Sequence, residues 1–191
     1  MLNRVHATTT ALVAAKLAAV HDIVPAYLGV AVFYDPLHAQ YNEMAAKILS
    51  ICEQVSASTP ARRNIREHEI RVTYDGADIS EASASLGLSV DEVIARHSGR
   101  RYTVDLLGFV PGFAYLSELD QSLQLPRRSQ PRPRVPAGSV AIAGAQTAVY
   151  PLDTPGGWHI IGRTDDVMFD PSRDPPALLR AGDVVRFTPV R

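Results

Sequence analysis

Cysteine is almost missing from this chain. Cys52 is the single one in 191 residues, which excludes an internal disulfide and any multi-cysteine metal centre. The six histidines are scattered, and no CxxC, HExxH or EF-hand spacing occurs, so no protein-bound metal is expected. Neither sign of charge is in excess. The net charge of −1 removes the general attraction that draws proteins to nucleic acid or to membrane surfaces. No apolar run approaches the roughly 20 residues of a membrane span. The residues after Met1 lack the apolar core and cleavage site of a secretory signal, so a cytoplasmic location is the expectation. Also absent are the GxSxG elbow, the P-loop and the Rossmann glycine pattern, so neither that nucleophile nor those phosphate cradles are anticipated.

What is present is an ordinary apolar and charged balance, 46% and 20%, in a chain long enough for one large or two small domains. Residues 4–20 are Ala-rich and helix-prone. Ile23 to Tyr34 reads as two short strands interrupted by Pro25 and Gly29. Asp35-Pro36 reads as a helix start, followed by Leu37, Tyr41, Met44, Ala45, Ile48, Leu49, Cys52 and Val55 at the spacing of one buried stripe. Cys52 on that stripe is expected as a buried structural thiol. A polar stretch covers 56–64, and Glu67 to Tyr74 alternates like a strand. Asp78 with Glu81, and Ser89 with Glu92, have capping-box spacing ahead of two short helices, the second ending near Gly99. Beyond Arg101 short strands recur at Tyr102–Leu107, Ser139–Ala143, Thr147–Tyr150, Trp158–Gly162 and Asp183–Pro189, with one helical turn at Ala177–Arg180. The fold class is therefore α+β: a small α+β domain over 1–70, then a β-barrel domain over 71–191.

Between Leu107 and Thr164, glycine, proline, arginine and aromatic residues alternate too densely for helices or a plain sheet. Glycine supplies backbone shapes closed to other residues and proline fixes φ, so this stretch shapes a surface or a pocket. Arg127, Arg128, Arg132 and Arg134 share a Pro-interrupted loop with no carboxylate among them, and guanidinium forks suit carboxylate or phosphate oxygens. Gly156 and Gly157 precede Trp158 and could offer backbone amides to an anion. Phe109, Phe113 and Tyr115 surround Pro111-Gly112 as pocket walls or as core. Gln146 and Tyr150 are polar groups in apolar strand sequence and must find partners if buried. His97, at a helix end, is either a dipole-stabilised histidine or an acid/base.

His97-Ser98 with Tyr102 and Val104, LGFVPGFAYL at 107–116, PRRSQPRPRVPAGSVAIAGAQT at 126–147 and YPLDTPGGWHIIGRT at 150–164 resemble the allophanate hydrolase subunit 1 family, from about residue 20 onward. The family includes a subunit of bacterial 5-oxoprolinase and the KipI-type inhibitor of a sporulation histidine kinase. The resemblance implies a cyclophilin-like barrel, a related barrel subunit and a third subunit as partners, and ATP-dependent opening of 5-oxoproline to glutamate. The resemblance also implies ATP with magnesium as a co-substrate, bound at a shared interface. Phosphorylating the lactam oxygen turns a poor electrophile into a good one. A histidine kinase as partner, or a urea- or allophanate-processing role, are the alternatives.

On this reading His97, Arg127, Arg134 and Arg163 are the candidate catalytic residues, the arginines as anion holders. Phe109, Phe113, Gln146, Tyr150, Gly156, Gly157 and Trp158 would bind substrate. Family members ordinarily begin with an extra strand ahead of the first helix, and this chain starts almost at that helix. Ala145 and Ala148 stand where glycines would be unsurprising.

Overall fold

The computed structural model describes residues 2–57 and 65–190, so most of the polar stretch at 56–64 lies outside the described residues. The chain divides into two compact units, 1–64 and 65–191. In the first, helix α1 (Leu2–Ala15) precedes a hairpin of β1 (Val20–Pro25) and β2 (Val30–Tyr34), then helix α2 (Tyr41–Ala57). The hairpin is antiparallel, with Ile23 opposite Val32 and Val24 opposite Ala31.

Helix α2 starts later than the sequence suggested. The Asp35 carboxylate accepts from the Leu37 amide at 2.8 Å and meets the His38 ring at 2.6 Å. It therefore closes a local turn instead of capping a helix. Leu37 falls outside α2 and is 90% exposed, and on the helix Met44 is buried while Tyr41 and Leu49 are exposed. Cys52 is half-buried rather than buried.

The second unit is the barrel. Strands β3 (Glu67–Val72), β4 (Arg101–Leu107), β5 (Ala114–Ser117), β7 (Ser139–Ala143), β8 (Gln146–Val149), β10 (His159–Arg163) and β11 (Val184–Pro189) form one sheet in the order β10-β7-β8-β5-β4-β11-β3. A separate ribbon pairs β6 (Arg132–Val135) with β9 (Thr154–Gly156). Strand β3 runs parallel to β11 in unbroken register from Glu67↔Val184 to Val72↔Pro189. That pairing draws residues 65–70 into the barrel, so the units part at 64/65 rather than at 70/71. Buried Asp183 reinforces it by binding the Arg66 guanidinium at 2.7 Å and the His68 ring at 3.0 Å.

The sheet closes on itself at the β-bridge of Thr73 with Arg163, and the Gly76 and Asp78 amides continue the seam onto the Ile161 and Ile160 carbonyls. Thr73 and Arg163 exchange both backbone hydrogen bonds at 2.9 Å, joining the ends of β3 and β10. Glycine is required on both sides of that seam. A methyl group on Gly162 would stand 2.7 Å from the Thr73 oxygen and 2.8 Å from Val72 Cγ1, and one on Gly76 would overlap the Ile161 backbone. Inside the barrel Tyr102, Val104, Leu116, Val140, Ile142, Ile161, Val185 and Phe187 make the main core.

Helices α3 (Ile79–Leu86) and α4 (Val90–Ser98) precede β4. Helix α4 begins with the anticipated capping box: Ser89 Oγ accepts the Glu92 amide and the Glu92 carboxylate accepts the Ser89 amide. At α3 the same spacing does not produce one, because Asp78 makes no side-chain cap; its carboxylate is engaged elsewhere. Ala177–Arg180 is not helical, and β5, β6 and β9 arise where the sequence showed only turns.

Candidate active site

Side chains alternate along β7 and β8. Val140, Ile142 and Val149 enter the barrel, while Ala141, Ala143, Ala148 and Tyr150 face a second cluster with Phe113, Val135, Trp158 and Ile160. The small alanines leave room for aromatic rings. Phe113 sits at their centre, edge-on to Tyr115 at 4.9 Å, Tyr150 at 5.3 Å, Phe109 at 5.6 Å and Trp158 at 5.8 Å. Phe113, Tyr150 and Trp158 are buried and fill the space between them, whereas Phe109 is 61% exposed. Phe109 also holds a left-handed backbone, φ 73°. A bulky residue adopts that conformation at a cost of about 1–2 kcal/mol, so an exposed aromatic is held here under strain.

The arginine loop lies beside this cluster. The Arg128 amide bonds the Gly157 carbonyl at 2.8 Å, Arg132 pairs with Gly156 across the β6–β9 ribbon, and the His159 ring meets the Pro126 carbonyl at 2.9 Å. Gly156 has no space for a Cβ because the Tyr150 phenol occupies it. Burial pushes the Tyr150 hydroxyl up from its ordinary pKa, against the Trp158 amide and the nearby charge of Arg127. Arg127, Tyr150, Gly156, Gly157, Trp158, Phe113 and Phe109 are thus brought together.

The loop does find carboxylates, all distant in sequence. Asp78, nearly fully buried, receives Arg128 at 2.9 Å and Arg132 at 2.5 Å through one oxygen, and the Ile160 amide at 2.7 Å through the other. Burial opposes its charge, but the Arg132 hydrogen bond, the Ile160 amide and the two guanidiniums outweigh it and hold its carboxyl below the usual range. Glu81 meets Arg128 at 3.0 Å. Arg134 pairs with Asp153, whose other oxygen takes the Ala137 amide. Arg127 alone of these four makes no ion pair among the described residues. Asp78 and Glu81 were legible only as helix-capping residues. The signal to follow was the unbalanced charge of four arginines in eight residues, which demands carboxylates from another segment.

Three expected site residues stand elsewhere. His97 is fully buried inside the barrel, stacked on Phe187 with ring centroids 4.6 Å apart. Thr147 Oγ1 donates to the Ala141 carbonyl at 3.0 Å, so it accepts from His97 Nε2–H at 2.8 Å, and His97 Nδ1 in turn accepts the Tyr74 hydroxyl at 2.7 Å. This relay fixes a neutral tautomer, and burial lowers the His97 pKa to about 3. A ring so enclosed touches no substrate, which corrects its expected acid/base role. Gln146 opens β8 and Tyr150 follows its end; four residues at about 3.3 Å each separate them by about 13 Å. Arg163 belongs to the barrel seam, bonded to Asp75 at 2.9 Å. It borders a surface cavity of about 140 Å³ lined also by Arg71, Thr73, Asp165 and Asp166.

Among the described residues no cluster of His, Cys, Asp and Glu could hold a metal, and no helix is long and apolar enough to cross a membrane.

Residues 1–179 match the family described as carboxyltransferase domain, subdomain C and D, and the chain belongs to it. Its curated relatives in that family are B subunits of 5-oxoprolinase. The Bacillus subtilis (strain 168) protein is 42% identical over 178 residues, 87% of this chain and 74% of that protein. The Escherichia coli O157:H7 protein is 52% identical over 140 residues, 72% of this chain and 63% of that protein. The solved structure of TTHA0988 covers all of this chain at 42% identity with a TM-score of 0.86, and this chain spans only 37% of it. The Kluyveromyces lactis urea amidolyase, with a TM-score of 0.73 at 13% identity, shares the fold.

Proposed function

We propose that this chain is the B-type subunit of a 5-oxoprolinase, a hydrolase that opens 5-oxoproline to glutamate at the expense of ATP, and that it works only with partner subunits. The subunit naming of its relatives supports a multi-subunit complex, and the partners in this reading are a related barrel and a third subunit. The observation that carries the reading is the uncompensated Arg127 beside the Gly156-Gly157 turn and the aromatic cluster. It sets an exposed cation beside an aromatic cluster, a pairing suited to a small ring bearing a carboxylate.

In this reading Arg127 holds the substrate carboxylate, and buried Tyr150 supports the Gly156 turn from behind. Phe109 closes the exposed side. Magnesium enters with ATP on its phosphates, at a site shared with another subunit. Arg134, paired at the surface with Asp153, has a lesser part.

The test is 5-oxoproline-dependent ADP release by the co-purified subunits. Release that vanishes when this chain is left out is the expected result, and no release from a properly assembled complex refutes the proposal. The kinase-inhibitor alternative would need an exposed aromatic surface and has less support, because Phe113, Tyr150 and Trp158 are buried and Phe109 alone of the four stands exposed.

A further inference from the structure

We infer that Asp78 is a built-in counter-ion that makes the arginine loop a monocarboxylate site and bars polyphosphate from it. The inference rests on the proposed function and adds that the ATP phosphates bind outside this loop.

The loop's guanidiniums near the aromatic cluster are Arg127, Arg128 and Arg132. Asp78 and Glu81 face them. Three positive groups meet two negative ones, which leaves a single uncompensated charge. Asp78 is not a surface partner that a ligand can displace. It is nearly fully buried, and its second oxygen is committed to the Ile160 amide inside the barrel wall. Breaking such a pair would strand a buried charge. Arg127, exposed and without an ion pair among the described residues, keeps its guanidinium fork for a ligand. The loop therefore offers N–H groups for one pair of anionic oxygens but only one net charge. A carboxylate matches both features. A triphosphate brings several negative charges and would meet the Asp78 and Glu81 carboxylates. Asp78 acts as a positioning residue, since it sets the loop and its charge without touching substrate.

The test uses the lone tryptophan, Trp158, which lies in the aromatic cluster beside this loop. Its fluorescence is followed during titration with 5-oxoproline and, separately, with tripolyphosphate, on the full chain and on the chain assembled with its partners. The unaltered protein should respond saturably to 5-oxoproline and far more weakly to tripolyphosphate. Asp78→Asn should bind tripolyphosphate about tenfold more tightly and with a steeper salt dependence. Should that variant fail to fold, Glu81→Gln at the exposed end of the network frees charge without disturbing the buried carboxylate and should move selectivity the same way. Arg127→Gln should weaken 5-oxoproline binding about tenfold or more.

Unchanged selectivity in folded Asp78→Asn or Glu81→Gln, or no response to 5-oxoproline in either state, overturns the inference. If assembled enzyme releases ADP but Arg127→Gln leaves the KM for 5-oxoproline unchanged, the inference falls and the proposed function stands. If no ADP is released but the preference for 5-oxoproline over tripolyphosphate survives, the proposed function falls and the loop's selectivity stands.

Discussion

Acidification from pH 7 to pH 5 is expected to cost the barrel about 2 kcal/mol through His97 alone. The ring is neutral in the native state at both pH values, because burial lowers its pKa to about 3 and the Tyr74–His97–Thr147–Ala141 relay uses the uncharged tautomer. In the unfolded chain it returns to about 6.5 and takes up a proton across this interval. Stability is therefore full above pH 6.5 and falls as the pH drops toward 3, at up to about 1.4 kcal/mol per unit. The interval from 7 to 5 stays clear of the carboxylates held below their usual values, Asp78 and Asp153 among them, whose contribution is lost only at lower pH. The assay is urea unfolding followed by Trp158 fluorescence at pH 7, 6 and 5. His97→Gln should be less stable at pH 7, by about 1–3 kcal/mol for the disturbed hydrogen bonds, yet lose about 2 kcal/mol less than the parent between 7 and 5. Equal losses in parent and variant would refute the assignment of the pH dependence to this ring.

Other outcomes follow from the same geometry. Gly76→Ala, which drives a methyl group into the Ile161 backbone, should destabilise the barrel by about 3 kcal/mol in the same unfolding assay, while Gly29→Ala, with nothing within 4 Å, should change little. Phe113→Ala should cost about 3–5 kcal/mol by thermal or urea unfolding, whereas Phe109→Ala should leave stability unchanged or raised and act on the substrate KM. Ser89→Ala removes the α4 capping box and should cost about 1 kcal/mol. Arg134→Ala should shift stability by less than about 1 kcal/mol, its pair with Asp153 being exposed.

The parts of the fold legible in the sequence are those that local pattern controls. Strand β7 is legible to the residue because a run of five apolar or small residues is bounded by Gly138 and Gly144. The Ser89 box is local and survived folding. Asp78 has the same local credentials, but two guanidiniums and a barrel amide outbid the helix for its oxygens, a choice set fifty residues away. Strands β6 and β9 are not legible locally for a similar reason. Pro133 and Pro155 argue against strands, yet a two-stranded ribbon tolerates proline at its outer edges. For the site, residue type identified the loop and the aromatic cluster but not the seating of each member. His97 and Gln146 share only polarity with Tyr150: the inward face of α4 takes His97 away, and the length of β8 keeps Gln146 at its far end.

The parallel pairing of β3 with β11 also bears on how the chain is made. Strand β3 leaves the ribosome early, with Ile70 and Val72 destined to be fully buried, and its partner begins only at Val184. Until then it is an unpaired apolar edge, and the contact that completes the barrel spans nearly the whole unit. Closing so long a loop slows folding and prolongs exposure to aggregation. The barrel thus becomes a barrel only once β11 is synthesised, and a nascent chain stalled before it would leave the apolar face of β3 uncovered.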